Sequence, residues 1–134
     1  MRSRARFVLW LILWIAGILF PMEFLARVWP AFGGICNTIF APDWMHIIMH
    51  RLLYGALVFL LAQAIPPVSS KAMLALVGLD LLVGFLQEGL QLLSAGMWPG
   101  WPPEILDLSV DLIGASMGIG LSRLTLRIQR SAKD

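Results

Sequence analysis

The sequence predicts an all-α, polytopic membrane protein, a bundle of four transmembrane helices with both termini on the cytoplasmic side. Three observations carry that prediction. Of 134 residues, 59% are hydrophobic and 13% charged, where soluble domains carry about a quarter charged. Four apolar segments, at about residues 7–26, 47–65, 72–93 and 105–125, have the length of helix that a hydrocarbon core demands, about 20 residues. Lys and Arg are also unevenly placed. With the N-terminus inside, Arg2, Arg4, Arg6, Lys71, Arg123, Arg127, Arg130 and Lys133 lie on the inner side, and only Arg27 and Arg51 lie outside or near it. That bias is what sets orientation.

The four spans leave little chain over, so residues 1–134 read as a single transmembrane domain. The pI of about 9.2 comes from basic residues at span ends. They read as topology signals, and no nucleic-acid partner is expected. Cys36 stands alone and can form no internal disulfide.

Along the chain, Arg2, Arg4 and Arg6 precede FVLWLILWIAGILF, a pattern like a secretory signal. No small-x-small cleavage site follows, so the segment reads as an uncleaved first span, kinked by Pro21 near its outer end. Glu23 reads as an interfacial carboxylate. Residues 27–44 contain two prolines and Gly33-Gly34 and read as an external loop, with Trp29 and Trp44 in the headgroup belt. Asp43 suits a helix N-cap or first turn.

The second span carries His46, His50 and Tyr54 at i, i+4, i+8, one stripe of a helix, and stops at Pro66-Pro67. The third carries Asp80, Gly84, Gln87 and Gln91 on one face, with Glu88 to its side. The loop SAGMWPGWPPE follows, and the fourth span repeats the spacing with Asp107, Asp111, Gly114 and Gly118. Gly114 and Gly118 make a G-x-x-x-G notch on the acidic face.

An ionisable side chain in a span costs at least about 2.5–3.5 kcal/mol and must face protein or water. Alternating helix direction gathers the polar groups of the second, third and fourth spans at one depth, the outer leaflet. Asp80 is the exception and reads as a hydrogen-bonded structural carboxyl near the membrane middle. Carboxylates beside two histidines can exchange protons near neutral pH. The bland alternative is a hydrogen-bond network pinning helices together, at about 0.6 kcal/mol per contact. A second alternative is a metal site: His46 and His50 share a helix face, and Glu88, Asp107 or Asp111 could complete the ligand shell, with His46, His50 and Glu88 as the preferred set. No H-E-x-x-H, Gly-rich phosphate loop, G-x-S-x-G or Cys-x-x-Cys is present, and no cofactor is expected.

His50 and Tyr54, then Glu88 and Gln91, then Asp107, Asp111, Gly114 and Gly118 form three spaced elements in an order that resembles the VanZ-like family of small bacterial membrane proteins. The resemblance covers about residues 46–120, with Asp111 where the family has Asn. An Asp-Lys pair of the family falls on His46-Ile47, and the loop after Gln91 has no basic residue. The resemblance implies a multi-pass protein of the bacterial cytoplasmic (inner) membrane and a link to glycopeptide antibiotic resistance.

The expected function is a polar pocket facing the outer leaflet that binds or modifies a cell-envelope lipid or glycolipid. His50, Glu88 and Asp111 are the expected catalytic residues; Tyr54, Gln91 and Asp107 are the expected binding residues. Glu88 or His50 would act as general base, oriented by Asp107 or Asp111. The competing expectation is a non-enzymatic accessory subunit of a larger membrane complex. A third is proton passage through Asp80.

Overall fold

The computed structural model describes residues 2–20, 22–40, 42–95 and 101–132. Among them are six helices and no strand: α1 (Arg2–Ile18), α2 (Met22–Val28), α3 (Pro30–Phe40), α4 (Asp43–Ala64), α5 (Ser70–Ala95) and α6 (Trp101–Ser131). Three are long and apolar enough to cross a membrane: α4, α5 over Ser70–Ser94, and α6 over Ile105–Ser131.

The first apolar segment differs from expectation. A single kinked span over 7–26 is replaced by α1 and α2, which are separate helices. Pro21 itself lies outside the described residues, yet its chemistry accounts for the division. Proline has no N–H, crowds the carbonyl four residues back, and disfavours helical geometry in the residue before it. Ahead of it the last turn tightens: Leu19 N–H still reaches Ile15 O at 2.9 Å, whereas Phe20 N–H turns to Gly17 O at 3.4 Å. With 17 residues, α1 is about 26 Å long, a little less than a hydrocarbon core of about 30 Å.

The expected loop over 27–44 is also largely helix. Pro30 opens α3 at a position where a missing N–H costs nothing. Gly33 permits a close crossing with α2, because a Cβ there would sit 2.6 Å from the carbonyl oxygen of Ala26. The two short helices therefore pack as a hairpin, with the Trp29 and Phe32 rings stacked at 5.9 Å.

Asp43 occupies the first turn of α4, while Pro42 is the N-cap residue and gives no side-chain cap. The helix ends just before Pro66-Pro67. Ser69 Oγ accepts from Ala72 N–H at 3.2 Å and caps α5. Pro102 and Pro103 fall in the first turn of α6, which starts earlier than 105 and runs past 125. Trp98 lies outside the described residues.

The largest interface joins α4 to α6. His46 meets Asp107 and His50 meets Asp111, each pair 61 residues apart, so the two helices run parallel. Their backbones touch through glycine. A Cβ on Gly114 would lie 2.8 Å from Arg51 O, and one on Gly118 would collide with Gly55 O. The G-x-x-x-G notch thus receives a third glycine, Gly55, which the sequence hides in an apolar run. α5 runs the opposite way: Leu76 packs with Ala62 and Ala115, and farther along Gly84 lies against Asp111 and Leu108. Trp14 Nε1–H donates to Leu53 O at 3.0 Å and ties α1 to α4. Arg123 Nε–H donates to Pro67 O at 2.9 Å and ties α6 to the α4–α5 turn.

The distribution of side chains is inverted relative to a soluble protein. Leu82, Phe85, Leu86 and Leu93 of α5 and Ile113, Met117, Leu121 and Leu124 of α6 are exposed, while Asp80, Glu88 and Asp111 are buried. Exposed hydroxyls on α6 bond to their own helix: Ser109 to Ile105 O at 2.6 Å and Ser116 to Leu112 O at 2.8 Å. Such bonds remove polar groups from hydrocarbon without needing a partner helix.

Candidate functional site

The polar groups meet at the end of the bundle where α4 and α6 begin and α5 finishes. Helical spacing stacks His46 above His50 on α4, ring centroids 4.3 Å apart, and the Tyr54 ring continues the column at 5.8 Å from His50. Because α6 is parallel, the same one-turn spacing sets Asp107 and Asp111 opposite the two imidazoles. His50 Nδ1 lies 2.8 Å from Asp111 Oδ1, and His46 Nε2 lies 3.2 Å from Asp107 Oδ1. Tyr54 O–H donates to Gln87 Oε1 on α5, so one column on α4 is bonded to both neighbouring helices.

The two His–Asp pairs differ in exposure. Side chains of His50 and Asp111 are 6% and 1% exposed, against 43% and 17% for His46 and Asp107. The inner pair is buried and the outer one is partly open to its surroundings. Gly84 makes the inner pair possible: a Cβ there would stand 3.2 Å from Asp111 Oδ2. That oxygen has no hydrogen-bond partner among the described residues.

Beside this column lies a partly open cavity of about 560 Å³. Its lining mixes polar side chains, Asn37, His46, His50, Gln87, Gln91 and Ser94, with apolar ones, among them Ile18, Phe20, Met22 and Leu53. Of the six residues expected to line a pocket, His50 and Gln91 do so. Tyr54, Asp107 and Asp111 stand behind this wall, holding His50, His46 and Gln87. Glu88 is buried on α5 and is not among the lining residues.

The sequence reading missed Asn37, Cys36 and Ser94, which also line the cavity. Cys36 and Asn37 sit in the stretch read as loop, and recognising Pro30 as a helix start would have placed them on one element. A second groove, of about 620 Å³ between α2 and α5, is lined by Phe24, Arg27, Val28, Leu90, Leu93 and Ser94 and carries none of the acids or imidazoles.

Asp80 is fully buried, deeper along α5. Neither of its oxygens has a hydrogen-bond partner among the described residues, so the expected hydrogen-bonded structural carboxyl is not what the geometry provides. Among possible metal ligands, one donor atom each from His46, His50 and Asp107 lie within 4.8 Å of one another. Of the three acids considered as partners for the two imidazoles, Asp107 is the one that converges with both within this distance.

What these features define is an all-helical protein with three helices fit to cross a membrane and a polar cluster gathered at one end of them. No protein family, curated protein or solved structure matches the chain.

Proposed function

We propose that the protein spans a bacterial inner membrane four times, with both termini inside, and holds the headgroup of a cell-envelope lipid or glycolipid in the cavity beside His50. α1 serves as the short first span. The positive charges at Arg4, Arg6, Lys71, Arg123, Arg127 and Arg130 favour that orientation, which turns the cavity toward the outer leaflet.

The observation that carries this reading is the mixed polar and apolar lining of the cavity. Amides, imidazoles and a hydroxyl suit a sugar or phosphate headgroup, and the apolar side chains among them suit the first methylenes of its chains. A volume of about 560 Å³ falls in the range of small-molecule pockets, about 300–1,000 Å³. It holds a headgroup, not a whole lipid. In a catalytic version His50, oriented by Asp111, is the general base. Glu88 and Tyr54 complete the same proposal, as does the link to glycopeptide resistance that a VanZ-like pattern implies.

Native mass spectrometry of the detergent-solubilised protein tests the proposal. The wild type is expected to retain a lipid-linked molecule. Ser94→Trp, which fills the cavity from α5 without touching either His–Asp pair, is expected to lose it. Equal lipid retention by both proteins would sink the cavity as the binding site. Glu88→Gln is expected to abolish any glycopeptide-susceptibility phenotype in a protein that still folds, and full function in that variant would remove Glu88 from the site.

A further inference from the structure

We propose that the mouth of the cavity binds a divalent transition-metal ion of the zinc class, held by His46, His50 and Asp107, with Asp111 orienting His50. Four features of the geometry converge on this. The first is ligand type: two imidazoles and one carboxylate form a donor set that zinc and its first-row neighbours favour over calcium or magnesium. The second is spacing. Donor atoms of a tetrahedral zinc shell with bonds of about 2.0–2.1 Å stand about 3.3 Å apart. His46 Nε2 and Asp107 Oδ1 stand 3.2 Å apart, and the third donor lies within 4.8 Å of both. Closing that edge falls to rotation of His46 and Asp107, the more exposed of the three, toward His50, which is buried and held by Asp111.

The third feature is Asp111. Its Oδ1 lies 2.8 Å from His50 Nδ1; with a dication at the site to favour the ionised carboxylate, Asp111 accepts from Nδ1–H. In a neutral imidazole the lone pair is then left on Nε2, the state a metal requires. A buried carboxylate holding the far nitrogen of a histidine is the usual outer support of a metal-ligating imidazole. The fourth is charge. Asp107 and Asp111 together bring two negative charges to a site whose imidazoles are neutral when ligating, and a dication balances them.

Three protein ligands leave a coordination position open. His46 and His50 both line the cavity, so that position faces the space where a headgroup would lie. The metal site stands independently of what occupies the cavity.

The test uses full-length protein in detergent, stripped with a chelator and titrated with zinc. One zinc per chain is expected, and cobalt(II) in its place should give the visible absorption of a four-coordinate site with nitrogen and oxygen ligands. His46→Gln and Asp107→Asn should weaken zinc binding at least 100-fold. Asp111→Asn, which replaces no ligand, should weaken it about 10–100-fold while keeping the stoichiometry at one. Wild-type protein that binds no stoichiometric zinc overturns the proposal. So does zinc binding that survives unchanged in His46→Gln and Asp107→Asn. Should a variant misfold, the cobalt spectrum of the wild type decides alone, since a spectrum of hydrated octahedral cobalt contradicts the site.

Discussion

Two pairs of the same residue types, one helical turn apart, carry different energetic weight because of where they sit. Asp111 is 1% exposed, and removing His50 leaves its carboxylate in a dry site with a second oxygen already lacking a hydrogen-bond partner among the described residues. His50→Ala is therefore expected to destabilise the protein by about 2–4 kcal/mol, near the cost of breaking a buried pair. His46 is 43% exposed, and His46→Ala should cost under about 1 kcal/mol. Thermal unfolding in detergent followed by circular dichroism measures both; equal losses would show that burial does not separate the pairs. That imidazoles and acids share one depth was legible in the sequence, since His46, His50, Asp107 and Asp111 lie near the same end of two spans of the same direction; which acid meets which imidazole was not, because equal spacing also allows a register shifted by one turn. The role of Gly84 in making room for Asp111 was not legible, because a single glycine on a polar face has no signature of what it touches.

At the level of helices, the α4–α6 crossing depends on the absence of side chains. A methyl on Gly118 would collide with a backbone carbonyl, which cannot move aside as a side chain can. Gly118→Ala is expected to cost about 1–3 kcal/mol, the range for overpacking. Gly120, two residues on, has nothing within 4 Å of its would-be Cβ. Gly120→Ala should be neutral or stabilise by up to about 1 kcal/mol through helix propensity. Melting temperatures of the two alanine variants check the contrast, and equal shifts would remove the glycine contact as the cause. Sequence patterning located α4, α5 and α6 because long apolar runs bounded by Pro and Gly leave few alternatives. It failed over residues 27–40, where Pro30 and Gly33-Gly34 read as breakers. Pro30 instead starts a helix and Gly33 admits a neighbour, so the same residues serve packing.

Across the described residues, apolar surface faces out while Asp80, Glu88 and Asp111 face in, which is the arrangement hydrocarbon demands. The proposed topology, which rests on charge asymmetry, gives this arrangement a direction. Thr38→Cys, on exposed α3, is expected to react with a membrane-impermeant thiol reagent in intact cells when Cys36 is replaced by Ser. Ala132→Cys, at the far end of α6, should react only after permeabilisation. The reverse pattern would invert the protein and point the cavity at the cytoplasm. Composition alone announced the membrane setting, and alternating helix direction announced that polar groups gather at one end. The cavity wall contributed by Asn37 and Ser94 was not foreseeable, since it depends on how short helices fold back over the bundle.

The closest partners, α4 and α6, are not consecutive in the chain; α5 separates them. During synthesis, the first helix of that pair therefore enters the bilayer well before the other leaves the ribosome. For that interval His50 has no acid opposite it, and the groove at Gly55 is open to acyl chains. In the proposed membrane setting the α4–α6 contact is thus the last of the bundle to form, and a chain halted after Ala95 lacks both Asp111 beside His50 and the Gly114–Gly118 backbone beside Gly55.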